Sequence, residues 1–230
     1  MAAANKQKNT IKIEVPEMER EFFTIDIEGT SPLLTHKWSD RAKETILAKQ
    51  LKKANKGREI RDPIRDFLES IYFLNGNIPT EIYKILTEQG REINSDVADI
   101  FADVSVGIPA AAFKNAAVGA CRCVDGLTMV MARGAFFIKE DSAGNVKIDY
   151  ERLTIREDTV RVGKGSSDLR YRACFYDWSA RLTIECNPLA MSKEQVINLV
   201  DISGFASGVG DWRPENNGSY GMYRIKRQHN

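Results

Sequence analysis

The sequence contains few residues of the kinds that bind metal ions or carry out acid–base catalysis. Its 230 residues include two histidines, His36 and His229. The four cysteines form no C-x-x-C pair; they are Cys121, Cys123, Cys174 and Cys186. Zinc sites built from cysteine and histidine need closely spaced ligands, so we predict no metal site and no cofactor. The cysteines are expected to be reduced thiols in a cytoplasm.

Long apolar runs and an excess of charge of one sign are also missing. No run reaches the roughly 18 apolar residues that a membrane helix requires, and residues 1–10 lack the apolar segment of a signal peptide. We therefore expect no membrane partner. The 33 lysines and arginines nearly balance the 32 aspartates and glutamates. This balance excludes a uniformly basic nucleic-acid binder but allows a locally basic face.

Length and composition indicate a globular protein. Hydrophobic residues make up 43% of the chain and charged residues 28%, which excludes a disordered or fibrous protein. We expect a disordered tail at residues 1–20 and a single domain over residues 21–230. Residues 39–74 and 78–105 are predicted to be insertions into that domain.

Sequence motifs of nucleotide hydrolysis and covalent catalysis are absent. The chain has no G-x-x-x-x-G-K-[ST] segment, which excludes a P-loop ATPase. It also has no G-x-S-x-G and no H-E-x-x-H segment. A serine or cysteine triad would therefore have to use His36, the one histidine away from the C-terminus.

Hydropathy patterns predict an α+β protein. The alanine-rich segment 109–124 is typical of a helix that begins at Pro109, and Ser192 with Gln195 predicts a capping box at the start of another helix. The predicted strands are residues 22–28, 127–138, 146–150, 153–162, 169–176, 178–186 and 221–226. This order predicts an antiparallel, ferredoxin-like sheet with helices on one face.

Arginines and aromatic residues alternate through residues 150–181. They are Arg152, Arg156, Arg161, Lys164, Arg170, Arg172 and Arg181, with Tyr150, Tyr171, Tyr176 and Trp178. Because side chains two apart on a strand share a face, Arg170 and Arg172 should point the same way. Such a face could hold a phosphate backbone while aromatic rings stack on bases. The alternative is that nearby acids, such as Asp158 and Asp168, pair with these arginines.

The C-terminal segment is rich in glycine. Residues 208–224 read GVGDWRPENNGSYGMYR. Glycines after a helix let the backbone approach an anion closely, and Arg213 adds a donor suited to phosphate. The alternative is a tight helix-to-strand connection without a ligand.

Three segments resemble the RAMP superfamily, the Cas7-like and Cas6-like proteins of CRISPR systems. Residues 27–36 (IEGTSPLLTH) are similar to the first family strand and its turn, and residues 107–116 (GIPAAAFKNA) are similar to the element that opens the first family helix. Residues 208–221 are similar to the glycine-rich loop before the last strand. The whole chain also resembles uncharacterised proteins carried by phages and prophages.

The resemblance implies an RRM-like sheet and a non-enzymatic, phage-encoded protein that binds single-stranded RNA or DNA. A Cas7-like protein of this kind would oligomerise as a filament along its strand, with CRISPR or recombination proteins as further partners, in the host cytoplasm. From the resemblance and the basic region together, we expect nucleic-acid contacts from Lys37, Lys114, Arg161, Lys164, Arg170, Arg172, Gly208, Gly210, Arg213, Gly218 and Gly221.

Two other functions are also consistent with the sequence. A Cas6-like, metal-free endoribonuclease would use His36 as general acid or base, because histidine can exchange a proton near neutral pH. A structural or anti-defence protein would use its arginines and tryptophans for protein contacts, with Trp38, Trp178 and Trp212 as candidate anchors.

Overall fold

The computed structural model describes residues 14–51, 61–88, 90, 94–162 and 165–227. The strands are β1 (Glu21–Gly29), β2 (Leu33–Leu34), β3 (Tyr72–Phe73), β4 (Val106–Pro109), β5 (Phe136–Ile138), β6 (Asn145–Asp149), β7 (Arg152–Val162), β8 (Ser166–Tyr176), β9 (Ser179–Cys186) and β10 (Tyr223–Ile225). The helices are α1 (Asp40–Gln50), α2 (Pro63–Glu69), α3 (Thr80–Glu88), α4 (Ala110–Ala120), α5 (Met129–Ala135) and α6 (Lys193–Ala206). Residues 1–13 of the predicted tail lie outside the described residues.

The larger sheet has the predicted ferredoxin-like arrangement. Its strands lie in the order β10-β1-β9-β6-β4-β3, β5 also pairs with β9, and every pairing is antiparallel. The chain passes from β1 through α4 to β5 and β6, then through β9 and α6 to β10. Since β5 and β6 together occupy the place beside β9, the order matches the β-α-β-β-α-β motif. The α+β prediction is confirmed.

One predicted strand is mostly a helix. The sequence pattern favours a strand over residues 127–138, but Met129–Ala135 form α5 and only Phe136–Ile138 pair in the sheet. The Thr128 side chain accepts a hydrogen bond from the Met131 N–H and caps this helix. Periodicity alone could not separate the two structures over so short an apolar run.

Helices α4 and α6 pack together on the core side of this sheet. The capping box of Ser192 and Gln195 is present at the start of α6, as predicted. A Cβ atom at Gly204 would lie 1.9 Å from the Tyr223 carbonyl oxygen, so glycine is what lets α6 approach β10. Trp178 is buried in the core and donates its indole N–H to the Ser31 carbonyl at 2.8 Å.

The solvent-exposed side chains of this sheet form ion pairs between neighbouring strands. Arg181 binds Asp26 at 2.7 Å, and Arg224 binds Glu28 at 2.7 Å. Lys139 binds Glu185 at 2.7 Å. Because each of these cations has a carboxylate partner, this face presents balanced charge rather than a basic surface.

A second sheet consists of β2, β8 and β7, in that order. β7 and β8 form a long ribbon that pairs from Arg152 with Tyr176 to Val162 with Ser166. Even-numbered residues of β7 lie opposite even-numbered residues of β8, so we call their shared side the even face of the ribbon. On the other side, α2 packs against β8, and the Ser70 hydroxyl accepts a hydrogen bond from the Ala173 N–H at 2.9 Å.

Candidate nucleic-acid interface

The even face of the ribbon brings together arginines that are far apart along the chain. Arg156 lies directly opposite Arg172, an unfavourable pairing of like charges on neighbouring strands. Asp158 relieves it, because its carboxylate accepts hydrogen bonds from Arg156 Nε at 2.9 Å and from Arg172 at 2.6 Å. Arg152 stacks its guanidinium 3.7 Å from the centre of the Tyr176 ring on the same face. Of the aromatic residues that the sequence places among these arginines, Tyr176 lies on this face, whereas Trp178 lies in the core.

The glycine-rich loop adds two aromatic rings to this face. The Arg156 guanidinium lies 5.0 Å from the centre of the Tyr220 ring and 5.6 Å from that of Trp212. The rings of Trp212 and Tyr220 are 6.1 Å apart. Trp212 has a φ of 51°, which is unfavourable for a bulky residue, so the surrounding packing must hold it in this orientation.

The predicted glycines serve this packing. Gly210 has a φ of 79°, and a Cβ atom there would lie 2.5 Å from the Leu34 carbonyl oxygen. Cβ atoms at the other three would lie within 2.7 Å of neighbouring atoms; they are Gly208, Gly218 and Gly221. The loop thus lies tightly against the chain after β2, and its glycines are explained without a bound anion.

Arg172 is the buried centre of the interface. Its side chain is 1% exposed and is held by Asp158 and Asp211. Its guanidinium lies 4.7 Å from the centre of the Trp212 ring. Arg172 cannot reach a phosphate in this arrangement, which corrects the prediction of a direct contact. It is a positioning residue that fixes the loop on the ribbon.

Asp211 joins the even face to a cleft beside it. Its carboxylate lies 3.2 Å from His36 Nδ1, and His36 lines the cleft. The hydrogen bond from His36 and the charge of Arg172 hold the pKa of Asp211 well below that of an ordinary aspartate. Arg170, on the wall of the cleft, lies 3.5 Å from the same His36 nitrogen.

The cleft has a volume of about 790 Å³ and lies between β8, the start of α1 and α2. Its carboxylates are already paired: Arg61 binds Asp66 at 2.6 Å and Asp168 at 2.5 Å. Two cations in the cleft, Lys37 and Arg170, have no carboxylate within ion-pair distance among the described residues. The lining of the cleft carries four cations, Lys37, Arg61, Arg170 and Arg172, against three carboxylates, although the chain as a whole is almost neutral.

Trp38 adds an exposed ring to the cleft. Its side chain lines the wall and is 63% exposed. An exposed indole beside unpaired cations can stack on a base while the cations bind its phosphates. Trp178, a second of the three candidate anchors named from the sequence, lies in the core and cannot serve.

Three predicted contacts lie elsewhere. The Lys114 ammonium donates hydrogen bonds to the carbonyls of Ala132 and Phe136, and burial lowers its pKa to about 8. Its ammonium group is therefore hydrogen-bonded inside the protein rather than directed towards a bound nucleic acid. Arg213 binds Glu215 at 2.8 Å and donates to the Gly210 carbonyl at 3.1 Å, so it braces its own loop. Arg161 is exposed near the tip of the ribbon, and Lys164 lies outside the described residues.

Sequence reasoning missed two contributors. Tyr220 and Asp211 were not singled out, although both lie in the glycine-rich segment. A signal for them was present in the sequence: an aromatic residue and an acid stand between glycines, in a segment that the expected fold places near the arginine-rich strands.

Within the described residues, no group of three or more histidine, cysteine, aspartate or glutamate side chains could hold a metal ion. No described helix has the length and apolar character needed to span a bilayer.

Comparisons with known proteins give matches at the level of structure alone. No family model and no curated protein sequence matches the chain. A chain of the type III-B Cmr-beta complex bound to cognate target RNA matches with a TM-score of 0.38 and 10% identity, over 89% of this chain and 59% of that chain. Cmr6 from Pyrococcus furiosus matches with a TM-score of 0.33 and 11% identity, over 91% of this chain and 100% of that chain. Both of these structures are of Cmr proteins, at low similarity.

Proposed function

We propose that this chain binds single-stranded nucleic acid along the even face and the adjoining cleft, without cleaving it. The observation that carries the proposal is the pair of unpaired cations, Lys37 and Arg170, in a cleft that also exposes Trp38. Duplex nucleic acid does not offer unstacked bases, whereas a single strand can place bases on aromatic rings and phosphates on cations.

Each part of the surface has a distinct task in this proposal. Lys37 and Arg170 contact phosphates, which supply most of the affinity but no sequence information. Trp38, Trp212 and Tyr220 offer rings for stacking, which contributes about 1–3 kcal/mol per base. The near-neutral net charge is no obstacle, because the carboxylates beside these cations are already paired with other arginines.

The proposed biological setting follows the sequence resemblance. A phage-encoded, Cas7-like protein would coat a strand as several copies and would meet CRISPR or recombination proteins while bound to it. The surface described above supports the strand-binding part of this setting. Self-association of the chain is the second part.

Fluorescence anisotropy with labelled single-stranded RNA, single-stranded DNA and duplex, at low and moderate salt, tests the binding. We expect salt-sensitive binding to single strands and weaker binding to duplex. Replacing Lys37 and Arg170 together by alanine should weaken binding equally for all sequences. It should also reduce the salt slope by about 1.4, at roughly 0.7 per phosphate contact.

The matched control is a double variant on the charge-balanced sheet face. Arg181 and Arg224 are also surface arginines, but each has a carboxylate partner. Their replacement by alanine should leave the affinity and the salt slope unchanged. Equal losses in the two double variants, or full affinity after loss of Lys37 and Arg170, would refute the placement of the interface.

RNA cleavage is a second candidate function, favoured by one observation. The pairing of His36 Nδ1 with Asp211 at 3.2 Å is a histidine–carboxylate arrangement that can orient the ring as a general base. His36 would remove the proton of a 2′-hydroxyl, whose oxygen attacks the adjacent phosphorus. The bond between phosphorus and the 5′-oxygen breaks, and the 5′-oxygen takes a proton from solvent. The products would be a 2′,3′-cyclic phosphate and a 5′-hydroxyl, without metal. Cleavage of RNA by the wild type that is lost with His36→Ala and with a 2′-deoxy substrate would support this activity. RNA that stays uncleaved in the presence of the wild-type protein would exclude it.

A further inference from the structure

The helix α1 carries apolar side chains that the described part of the chain leaves exposed. Leu47 is 53% exposed and Leu51, in the turn that follows α1, is 54% exposed. Ala42 and Ile46 face the cleft, and a helical rotation of about 100° per residue places Leu47 and Leu51 on a different side. We call these two leucines the α1 knob.

This helix is too short to be stable without packing. It has eleven residues, whereas isolated helices shorter than about 12–15 residues are marginal in water. Most helical stability in proteins comes from burial of an apolar face. The exposed knob therefore indicates that another surface completes the packing of α1.

A groove of matching character lies between α5 and α6. It has a volume of about 380 Å³, and its apolar lining includes Met131, Leu199 and Ile202. Exposed apolar residues lie close to it along the same two helices, including Val130, which is 74% exposed, and Phe205, which is 75% exposed. Clusters of exposed apolar residues of this kind mark interaction sites. We call this surface the α5–α6 groove.

Charge favours the α1 segment as the occupant of the groove. Residues 37–56 contain seven lysines and arginines against two acids. The single charged residue that lines the groove among the described residues is an acid, Asp125. A helix that presents two leucines one turn apart to a groove between two helices is also a recurrent mode of recognition.

We propose that the α1 knob of one copy docks into the α5–α6 groove of a second copy. The cleft and the groove share no lining residue, so each chain would offer its knob to one neighbour and its groove to another. Such a head-to-tail contact generates a ring or an open helical filament. The inference deepens the proposed function, since it rests on the proposed self-association and names the surfaces that perform it.

Single-surface variants test the contact, because each keeps the other surface intact. Leu47→Glu removes the knob, and Ile202→Glu removes the groove; both positions are exposed, so both variants should fold. In analytical ultracentrifugation without nucleic acid, wild-type protein should form assemblies that grow with concentration. Each variant alone should be a monomer. An equimolar mixture should form a 1:1 dimer and nothing larger, since only one knob and one groove remain.

Val15→Glu is the matched control, because it places the same charge at an exposed apolar residue outside both surfaces. It should assemble as the wild type does. A monomeric wild type, a variant that still forms large assemblies, or a mixture that stays monomeric would each overturn the proposal.

Binding of a short oligonucleotide separates this proposal from the proposed function. The monomeric variants should bind a strand that fits one subunit as tightly as the wild type does. Assembly without any strand binding would refute the proposed function alone. Strand binding with a monomeric wild type would refute the docking of α1 alone.

Discussion

Asp211→Asn should destabilise the protein by loosening the glycine-rich loop from the ribbon. The substitution keeps the shape of the side chain but removes the charge that faces Arg172, which is 1% exposed. Loss of one partner of a buried ion pair costs about 3–5 kcal/mol when the remaining charge is uncompensated. Arg172 retains Asp158, so we expect about 2–3 kcal/mol. Guanidinium unfolding curves, followed by tryptophan fluorescence, measure this difference.

The dependence on pH gives this prediction a second readout. The folded pKa of Asp211 lies below its unfolded value of about 3.9, because His36 hydrogen-bonds to the carboxylate and Arg172 places a positive charge beside it. The stability that it contributes is therefore fully present above about pH 4 and is lost as the pH falls towards the folded pKa. The difference between wild type and variant should be smaller at pH 3 than at pH 5.

Asp26→Asn is the control, since it removes a carboxylate from an exposed pair with Arg181 and should change stability little. A loss below about 0.5 kcal/mol for Asp211→Asn, the range of ordinary surface substitutions, would refute the reasoning. It would mean that Asp158 alone compensates Arg172 and that the loop is held by its backbone contacts.

Two further predictions concern the backbone and a buried cation. Gly210→Ala should destabilise by more than about 1 kcal/mol, because its φ of 79° and the Leu34 carbonyl 2.5 Å from the added Cβ both oppose a side chain. Gly134→Ala, in α5 with open space around the added atom, should instead stabilise by about 0.5–1 kcal/mol, and thermal melts compare the two. Lys114 has a folded pKa of about 8, lowered by burial, so between about pH 8 and its unfolded value of about 10.4 the unfolded state binds the extra proton. Wild type should therefore gain stability relative to Lys114→Met as the pH rises through that window; a constant difference would show that Lys114 is not desolvated.

Local sequence patterns predicted much of the fold because they reflect forces that act within a single element. The alternation in β1 and β9, the alanine-rich α4 and the capping box of Ser192 each describe an element that the structure contains. The pattern failed at α5, where a short apolar run fits a strand and a helix equally well. The cap on Thr128 decided between them.

The candidate interface shows where sequence reasoning reached its limit. Arg170 and Arg172 do lie on one face of β8, as their spacing predicts, and both border the cleft, yet Arg170 is half-buried and Arg172 is buried. Their difference depends on Asp211, a residue 39 positions away from Arg172. Lys114 was expected to contact nucleic acid. It instead donates hydrogen bonds to the carbonyls of Ala132 and Phe136, because α5 ends beside it.

Local patterns in the sequence predict most of the elements, which side chains share a face, and that β7 and β8 carry several arginines. These features follow from backbone geometry and short-range spacing. Which cations remain unpaired depends on how the folded chain brings distant elements together. Asp66, Asp158, Asp168 and Asp211 neutralise some arginines and leave Lys37 and Arg170 free of carboxylate partners among the described residues. Charge pairing depends on distances between elements that are far apart along the chain, and those distances exist only in the folded protein.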